Sequence, residues 1–596
     1  MSHPLRDATR ALAAAARPFA SALAQGFAHV QVLAGRFLLG TLVVIGALCG
    51  VIAVIFHRYV EFAHDLLIGR ALAQTGPWRI VLVIVTPTVT FALLAWLIRR
   101  FAPRAIGANL ARVRRAYNEN PRLLGARTIG ATFAATPLSL GAGAPLGPEG
   151  PIVVVTSGFS VAVARLLRLP QKAVRAMIPI GTAAGISAIF NTPITGVVFA
   201  LEEVIGTSQR GILGGVLVGS VAAAVVQRSL LGGRPLLAAP FSTWTDAREM
   251  IGFALLGVIA GITSGLAIAL AHRLKHRWSA KMPSFVGRAA LAGLLIGIAG
   301  TLAPEILGVG YDSVSFWLHG GGTATESGIA FAVKLLAFTL AISAGLVGGT
   351  FAPSLFIGTA LGAAIGHGAQ AFFPGVNIDP KAYAIVGMGS FFAGLMRSPI
   401  AAVLIVVELT RDYELILPLM LGVSLAVASS RRISRLSIVE QQMVDEGHVE
   451  EHGPHEPLAH VTAAGAMTAD VVTIPRDATV AEAAHRIAGT RFLFYPVIVD
   501  GGTLAGTVSR QAIEQALGDG SGDKPVWSLA EEPRLVAAAD DLVIDVIQQM
   551  QVRGVDRCPV VDSQASRRVV GFLSPSDILR VRMRETPREE AFELFE

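Results

Sequence analysis

A single carboxylate stands beside a Gly/Pro-rich break that occurs twice, in outline, in the apolar part of the chain. Residues 147–151 read Gly-Pro-Glu-Gly-Pro, and residues 349–353 read Gly-Thr-Phe-Ala-Pro, without an acid. Each break leads directly into an apolar run, which predicts the amino end of a helix, with free N–H groups and a positive dipole end, at depth in a bilayer. Two such ends would attract an anion, and Glu149 would compete with that anion for its place.

The composition is typical of a polytopic membrane protein with room for a soluble domain. Of the 596 residues 53% are hydrophobic and 15% are charged, and uncharged runs at 37–56, 80–98 and 251–271 are long enough to cross about 30 Å of hydrocarbon. Other apolar segments are cut by Gly and Pro, which predicts half-helices that meet inside the protein. We interpret the net charge of +7 as a positive-inside bias rather than a nucleic-acid surface.

Charge and composition also divide the chain into regions. Residues 1–32 are arginine-rich without the apolar core of a signal peptide, which predicts a cytoplasmic segment lying on the membrane surface. A membrane domain over 33–440 is then followed by a His/Pro-rich stretch at 441–460, interpreted as a solvated linker rather than a metal site. The two cysteines, Cys49 and Cys558, form neither a disulfide framework nor a metal cluster.

The membrane domain contains an internal repeat. Residues 181–202 align without a gap on 387–408 at a constant offset of 206, and 147–151 align on 349–353 at an offset of 202. We therefore predict repeats over about 80–230 and 290–430. Half-molecule repeats with interrupted segments at matching places indicate a transporter whose site lies at the repeat interface.

The polar tail contains a second duplication. Strand-like segments at 494–499 and 504–509, followed by a helix-like segment, recur at 558–561 and 569–574. We place the two copies at 461–520 and 525–585.

The chain resembles the CLC family of chloride channels and anion/proton exchangers in three segments. These are 147–151, 349–353 and the segment from Phe190-Asn-Thr-Pro193 to Glu203. The tail resembles a tandem CBS pair, or Bateman module. The resemblance covers nearly the whole chain and implies a mainly α, polytopic membrane protein with inverted repeats and broken helices, plus a cytoplasmic α/β CBS pair. It further implies a homodimer, not an enzyme, with both termini cytoplasmic, in the plasma membrane of a bacterium.

The resemblance also implies residue roles. Glu149 would be the gate of a chloride/proton exchanger and Glu203 its proton-transfer group, while the backbone at Gly147, Gly150, Thr350 and Phe351 would bind the anion. The residues alone leave alternatives open, because either glutamate could simply mark a helix end. A passive voltage- or pH-gated anion channel of the same fold and a non-transporting, nucleotide-sensing membrane protein are the competing functions.

Two hydroxyl donors expected from the family are missing. Where the family reads Gly-Ser-Gly-Ile-Pro, this chain reads Gly-Ala-Asn-Leu-Ala from Gly107, with Ala108 and Asn109 at the centre; where the family has a tyrosine, this chain has Val439. Each lost donor would cost about 1.5–3 kcal/mol of anion binding. We therefore expect an anion path held mainly by backbone amides, with its selectivity left open.

In the tail, Ser574 and Asp577 fit the CBS pattern for phosphate and ribose, and the first copy lacks the acid. The resemblance thus implies an adenine nucleotide at the second copy, although a ligand-free dimerisation platform fits equally well. No other cofactor, metal or nucleic acid is expected.

Overall fold

The computed structural model describes residues 39–585 except 106, 108, 206–209, 234–235, 238, 240–247, 374–376, 447–460, 491 and 564. The chain separates into two compact units, the first ending at Glu451 and the second starting at His452. The segment expected at 1–32 lies outside the described residues. Of the predicted linker, residues 441–445 complete a helix of the first unit, and 447–460 lie outside the description.

The first unit is helical. Its main helices are α1 (Leu39–Leu72), α2 (Pro77–Phe101), α3 (Leu110–Asn118), α4 (Ala126–Gly141), α5 (Glu149–Leu166), α6 (Gln171–Phe190), α7 (Pro193–Phe199), α8 (Arg210–Leu231), α9 (Glu249–Lys281), α10 (Phe285–Leu302), α11 (Tyr311–Leu318), α12 (Ala324–Ala344), α13 (Phe351–Phe372), α14 (Pro380–Met396), α15 (Pro399–Thr410), α16 (Ile416–Ile433) and α17 (Ile438–Asp445).

Long helices alternate with short ones in this unit. Within the described residues, ten helices are long and apolar enough to cross a membrane. By contrast, α7 has 7 residues and is continued by a wide helical turn of 6, and α15 has 12. Both segments are too short to span a bilayer. The prediction of helices interrupted inside the protein is therefore confirmed.

The repeat seen in the sequence is also a repeat of backbone geometry. Asn191 directly follows α6 and Arg397 directly follows α14, and both residues are left-handed, with φ of 59° and 66°. Each is followed, two residues later, by a proline that begins the next helix, Pro193 of α7 and Pro399 of α15. Both pairs differ by the same 206 positions, so a left-handed residue turns the chain between the paired helices in each repeat.

Close contact between α13 and α14 depends on glycine. A Cβ atom placed on Gly387 would lie 2.8 Å from Cα of Gly362, which is closer than real Cβ atoms come to a backbone atom. Small residues at helix crossings let backbones approach inside a membrane. The crossing brings Phe351 of α13 against Phe392 of α14, with ring centroids 4.4 Å apart.

The second unit contains two three-stranded sheets with helices packed on them. Its elements are α18 (Ala463–Ala466), β1 (Ile474–Pro475), α19 (Val480–Ile487), β2 (Phe494–Val499), β3 (Thr503–Ser509), α20 (Arg510–Gly518), β4 (Ala537–Ala538), α21 (Val543–Arg553), β5 (Cys558–Val561), β6 (Val569–Leu573) and α22 (Pro575–Glu585). In each sheet the first strand pairs in parallel with the second, and the second pairs antiparallel with the third.

The two halves of this unit share parts. Helix α18 lies in the range predicted for the first copy, but Ala463 and Ala466 belong to the same core cluster as Leu535 and Val560 of the second half. The amide of Ala463 also donates to the carbonyl of Asp541, at 2.7 Å. Helix α18 therefore packs on the second copy, although the sequence assigns it to the first.

Candidate functional site

Two helices of the membrane unit begin face to face. Helix α5 begins at Glu149 and α13 begins at Phe351, 202 residues later. Just before these starts, Gly147 and Gly349 exchange backbone N–H···O hydrogen bonds of 2.9 and 2.6 Å. The first amides of a helix have no partner within it and carry the positive end of its dipole. The bridge thus joins two positive helix ends into one cradle, defined here as the backbone from Gly147 to Gly150 and from Gly349 to Ala352.

Glycine at position 349 is needed for this approach. A Cβ atom there would lie 2.7 Å from the amide nitrogen of Gly150 and 3.0 Å from Oε2 of Glu149. A larger residue would push the two helix ends apart. The close approach of the two Gly/Pro-rich breaks thus has a specific steric basis at Gly349.

The carboxylate of Glu149 lies inside the cradle. Its side chain is buried, and Oε1 accepts the backbone N–H of Ala352 at 3.1 Å and the hydroxyl of Tyr311 at 3.4 Å. The second oxygen, Oε2, is buried with no hydrogen-bond partner in the described part of the chain. A carboxylate of the first repeat therefore accepts a hydrogen bond from a backbone amide of the second repeat, while its other oxygen accepts none from the described residues.

A cavity of about 20 Å³ adjoins this carboxylate, enough for a single water molecule or small ion. Six of the predicted site residues line it: Asn109, Glu149, Gly150, Thr350, Phe351 and Val439. The structure therefore brings together residues from four separate segments of the sequence.

Two phenylalanine rings, those of Phe199 and Phe351, line the cavity. Phe351 stacks on Phe190 with centroids 4.8 Å apart and meets Phe199 edge-on at 5.7 Å. The hydroxyl of Thr350 donates to Sδ of Met396 at 3.5 Å. Hydrogen bonding to an anion here would therefore rest on backbone amides rather than on the Thr350 hydroxyl.

Two side-chain amides meet where the sequence lacks the two hydroxyls. Nδ2 of Asn109 donates to Oε1 of Gln442 at 2.7 Å, and both residues line the cavity. Oδ1 of Asn109 accepts the N–H of Ala111 at 3.0 Å and so caps the start of α3. Gln442 lies three residues after the buried Val439 on α17. A carboxamide pair thus links α3 to α17 across the cavity.

Two of the predicted anion-binding residues, Gly107 and Ala108, are not among the described residues that line the cavity. Gly107 does not line the cavity; its φ is +70°, and a Cβ atom there would lie 2.5 Å from Oε1 of Glu446. Ala108 lies outside the described residues. Of the described residues in the segment 107–111, Asn109 and Leu110 line the cavity.

Glu203 is buried but does not line the cavity. It lies on a wide helical turn, Ala200–Ile205, that continues α7, and its Oε1 accepts the hydroxyl of Ser398. Ser398 directly precedes α15. The structure therefore places this carboxylate at the start of a helix of the other repeat.

Neighbouring glutamates cap helices reciprocally. Glu202 of the first repeat accepts the N–H groups of Ile400 and Ala401, at 3.2 and 2.8 Å, at the start of α15. Glu408 of the second repeat accepts those of Ile194 and Thr195, at 3.1 and 2.7 Å, at the start of α7. Each carboxylate thus satisfies the open end of the partner repeat's short helix.

In the second unit, the two predicted nucleotide residues bond to each other. Oδ2 of Asp577 accepts the hydroxyl and the N–H of Ser574, at 2.6 and 3.0 Å, and Oδ1 accepts the hydroxyl of Thr468 at 2.7 Å. These bonds tie the start of α22 to the loop after α18. The nucleotide site at Ser574 and Asp577 stays a prediction.

Sequence reasoning missed three groups at the site: Tyr311, Met396 and Gln442. Gln442 is three residues after Val439, so a helix through this segment would have placed both on one face. Tyr311 follows a glycine-rich break at 308–310, but nothing in its spacing points to Glu149. Met396 is part of the aligned repeat, where it reads as an ordinary core residue.

Comparisons with known proteins match both the membrane unit and the tail. The family model described as voltage gated chloride channel matches residues 88–431, more than half of the chain, and CBS domains match 461–519 and 527–584. A relative named H(+)/Cl(-) exchange transporter ClcA, from Citrobacter koseri, is 31% identical over 64% of this chain and 82% of its own length. A putative chloride channel protein, ClcB-like, from Ralstonia nicotianae, is 32% identical over 50% of this chain and 71% of its own.

Solved structures show the same fold. A slow cyanobacterial Cl-/H+ antiporter superimposes with a TM-score of 0.63 at 24% identity, over 68% of this chain and 97% of that one. A eukaryotic CLC transporter also gives a TM-score of 0.63, at 18% identity, over 91% of this chain and 97% of that one. The chain is therefore an integral, multi-pass membrane protein with a tandem CBS tail, and it belongs to the voltage-gated chloride channel (CLC) family.

Proposed function

We propose that the protein exchanges chloride or a similar small anion for protons, with Glu149 as the gate. The observation that carries this proposal is the Glu149 carboxylate itself, which accepts the Ala352 amide in a cradle built from two helix amino ends. Amides and dipoles that favour this carboxylate would favour a free anion in the same way. The side chain and the anion therefore compete for one place.

Protonation would decide that competition. An ionised Glu149 is held by the Ala352 N–H and the Tyr311 hydroxyl. A protonated side chain has lost its charge, so it is held less firmly by the positive helix ends, and an anion can replace it. When the anion leaves and the side chain gives up its proton, the carboxylate returns. One cycle would then move a proton and anions in opposite directions.

Glu203 is the proposed proton acceptor nearer the cytoplasm. It is a buried carboxylate with one bond from a side-chain hydroxyl, that of Ser398, whereas the adjacent Glu202 is fully used as a helix cap. A buried carboxylate that is not committed to a helix end is suited to taking up and releasing a proton. This difference between neighbours favours Glu203 over Glu202 for proton transfer.

The proposed assembly is a homodimer in a bacterial plasma membrane, with both termini in the cytoplasm and a separate path in each copy. Ile194, Ile400 and Leu417, on α7, α15 and α16, are exposed apolar side chains. Helix α15 packs beside both α7 and α16. These apolar side chains therefore lie on adjacent helices, where a second copy would cover them. The bacterial source of the exchanger relative from Citrobacter koseri supports the membrane assignment.

Ion flux in liposomes tests the transport proposal. A chloride gradient across vesicles containing the purified protein is expected to drive protons uphill, and Glu149→Gln is expected to pass chloride without protons. Glu61→Gln, which changes an exposed carboxylate of α1, should behave as the unmodified protein. Chloride flux without proton flux in the unmodified protein would instead support a passive channel, and no anion flux would support a non-transporting sensor.

The CBS tail is proposed to modulate transport by binding an adenine nucleotide at Ser574 and Asp577. Because Asp577 already bonds Thr468 and Ser574, ribose hydroxyls would have to replace one of these donors. Equilibrium binding of ATP and AMP to the full chain tests this. Binding should weaken in Ser574→Ala, and equal affinity in the two proteins would favour a ligand-free platform.

A further inference from the structure

A second cluster of chemically active side chains lies on helices α9 and α17, apart from the anion cradle. Nδ1 of His272 lies 2.7 Å from Oδ1 of Asp445, and Nε2 of His276 lies 3.8 Å from the same oxygen. One ligand atom from each residue lies within 4.8 Å of the others. The two histidines are four positions apart on α9, so they lie on one face of that helix.

This ligand set is suited to a divalent transition metal. Two imidazoles and one carboxylate, with a position left open, are typical of zinc and its neighbours. In a tetrahedral zinc site, with bonds of about 2.0–2.1 Å, neighbouring ligand atoms are roughly 3.3 Å apart. The separations of 2.7 and 3.8 Å from Asp445 lie on either side of that value. His276 is the most exposed of the three and can close the gap by a small rotation.

The other groups that contact Asp445 are compatible with a metal at Oδ1. Lys275 pairs with the other oxygen, Oδ2, at 3.2 Å, so it can keep its bond while Oδ1 binds a metal. The side-chain amide of Gln441 lies 2.9 Å from Nδ1 of His272 and 3.1 Å from Oδ1 of Asp445. Rotation of that amide would present its oxygen as a fourth ligand.

Helix α17 connects this cluster to the cavity. Gln441 and Asp445, four residues apart, face the histidines, whereas Val439 and Gln442 line the cavity. We propose that His272, His276 and Asp445 form a site for a divalent transition metal of the zinc class, and that the bound metal ties α17 to α9 and slows transport. The site lies outside the proposed exchange path.

Zinc binding to the purified full chain in detergent, measured by titration calorimetry at fixed pH, tests the site without any transport assay. His276→Ala is the most informative variant, because His276 is the most exposed of the three and its removal disturbs packing least. It should weaken zinc binding by about tenfold or more. His319→Ala, which changes an exposed histidine on another segment, should leave binding intact. Equal zinc affinity in these two variants would overturn the site, as would competition by magnesium as strong as that by nickel.

Transport in liposomes tests the coupling to α17. Zinc is expected to slow chloride flux in the unmodified protein and in His319→Ala, and to have little effect in His276→Ala. If zinc binds with the expected ligand dependence but flux is unchanged, the proposed restraint on α17 is wrong. Because binding is measured separately, failure of the exchange proposal would leave the calorimetric result intact.

Discussion

Gly147 and Gly349 exchange two backbone hydrogen bonds, which fix the distance between the starts of α5 and α13. No side chain takes part in this link. Substitution of a side chain near the cradle should therefore leave the backbone amides in place. It should change only how strongly the cradle binds the Glu149 carboxylate or an anion. The following variants at the site can be interpreted on that basis.

Tyr311→Phe should favour the anion over the carboxylate. The change removes the hydroxyl that donates to Glu149 at 3.4 Å. A long hydrogen bond of this kind contributes about 1 kcal/mol, so displacement of the side chain should become about fivefold easier. The apparent KM for chloride, measured from flux in liposomes, should fall by that factor. In a Glu149→Ala background Tyr311→Phe should leave the KM for chloride unchanged. If the KM still falls by the same factor in that background, Tyr311 acts through some group other than Glu149.

Gln442→Ala should speed anion movement. It breaks the 2.7 Å bond to Asn109 that links α3 and α17 across the cavity. With a net bond strength of about 1 kcal/mol, chloride turnover should rise about fivefold. Asn109→Ser is the matched variant, because serine keeps a cap on α3 and loses the bridge. Chloride turnover in the double variant, Gln442→Ala with Asn109→Ser, should be no faster than in either single variant. Additive increases would show that loss of the Asn109–Gln442 hydrogen bond is not their shared cause.

Ser398→Ala should uncouple protons from anions. The Ser398 hydroxyl donates to the buried Glu203. A hydrogen bond to a charged group contributes about 1.5–3 kcal/mol, so proton flux should fall by about tenfold while chloride flux persists. Ser390→Ala, which removes a buried hydroxyl with no partner among the described residues, is the control. Equal loss of both fluxes in Ser398→Ala would contradict a specific role for Glu203 in proton transfer.

Glu408→Ala and Glu202→Ala should destabilise the membrane unit. Each leaves two amides at the start of a short helix without their carboxylate, at a cost of about 1–3 kcal/mol. Thermal unfolding in detergent should show a lower Tm for both. Glu61→Ala removes an exposed ion pair and should cost less than about 0.5 kcal/mol. If all three variants have the same Tm, the glutamate caps do not stabilise the fold.

Cys558 should be unreactive in the folded tail. Burial raises the pKa of its thiol from 9.0 to about 12. The folded state therefore keeps a proton that the unfolded state releases, so this group's contribution to stability is full below about pH 9 and declines as the pH rises toward 12. In a Cys49→Ala background, iodoacetamide at about pH 8 should label the chain only after unfolding. Gln515→Cys, at an exposed position on α20, is the reactive control; rapid labelling of native Cys558 would contradict its burial.

The sequence predicted what depends on local pattern. Glycine and proline breaks marked the helix starts at Glu149 and Phe351, and the constant offset of 206 anticipated the matching left-handed turns at Asn191 and Arg397. Six of the residues proposed for the site do line one cavity. These features can be predicted because each depends on a short stretch of residues, or on the recurrence of such a stretch in the second repeat.

Contacts between distant segments could not be predicted in the same way. Asn109 and Gln442 are 333 positions apart, and Tyr311 and Glu149 are 162 apart. Likewise, His272 and Asp445 are separated by 173 positions. Each pair forms only because whole helices pack beside one another. The interpretation of 441–460 as a linker rather than a metal site considers that stretch alone, whereas the cluster combines its Asp445 with His272 and His276 of α9.

Reciprocal capping also bears on how the protein is made. When α7 is synthesised, the carboxylate that satisfies its first amides, that of Glu408, is still 214 residues from Ile194 along the chain. Until it arrives, an open helix end must remain in contact with water or with the insertion machinery, because exposed amides are costly in lipid. The first repeat should therefore complete its folding only after the second has been inserted. Chains truncated between the repeats should be substrates for membrane quality control rather than stable halves.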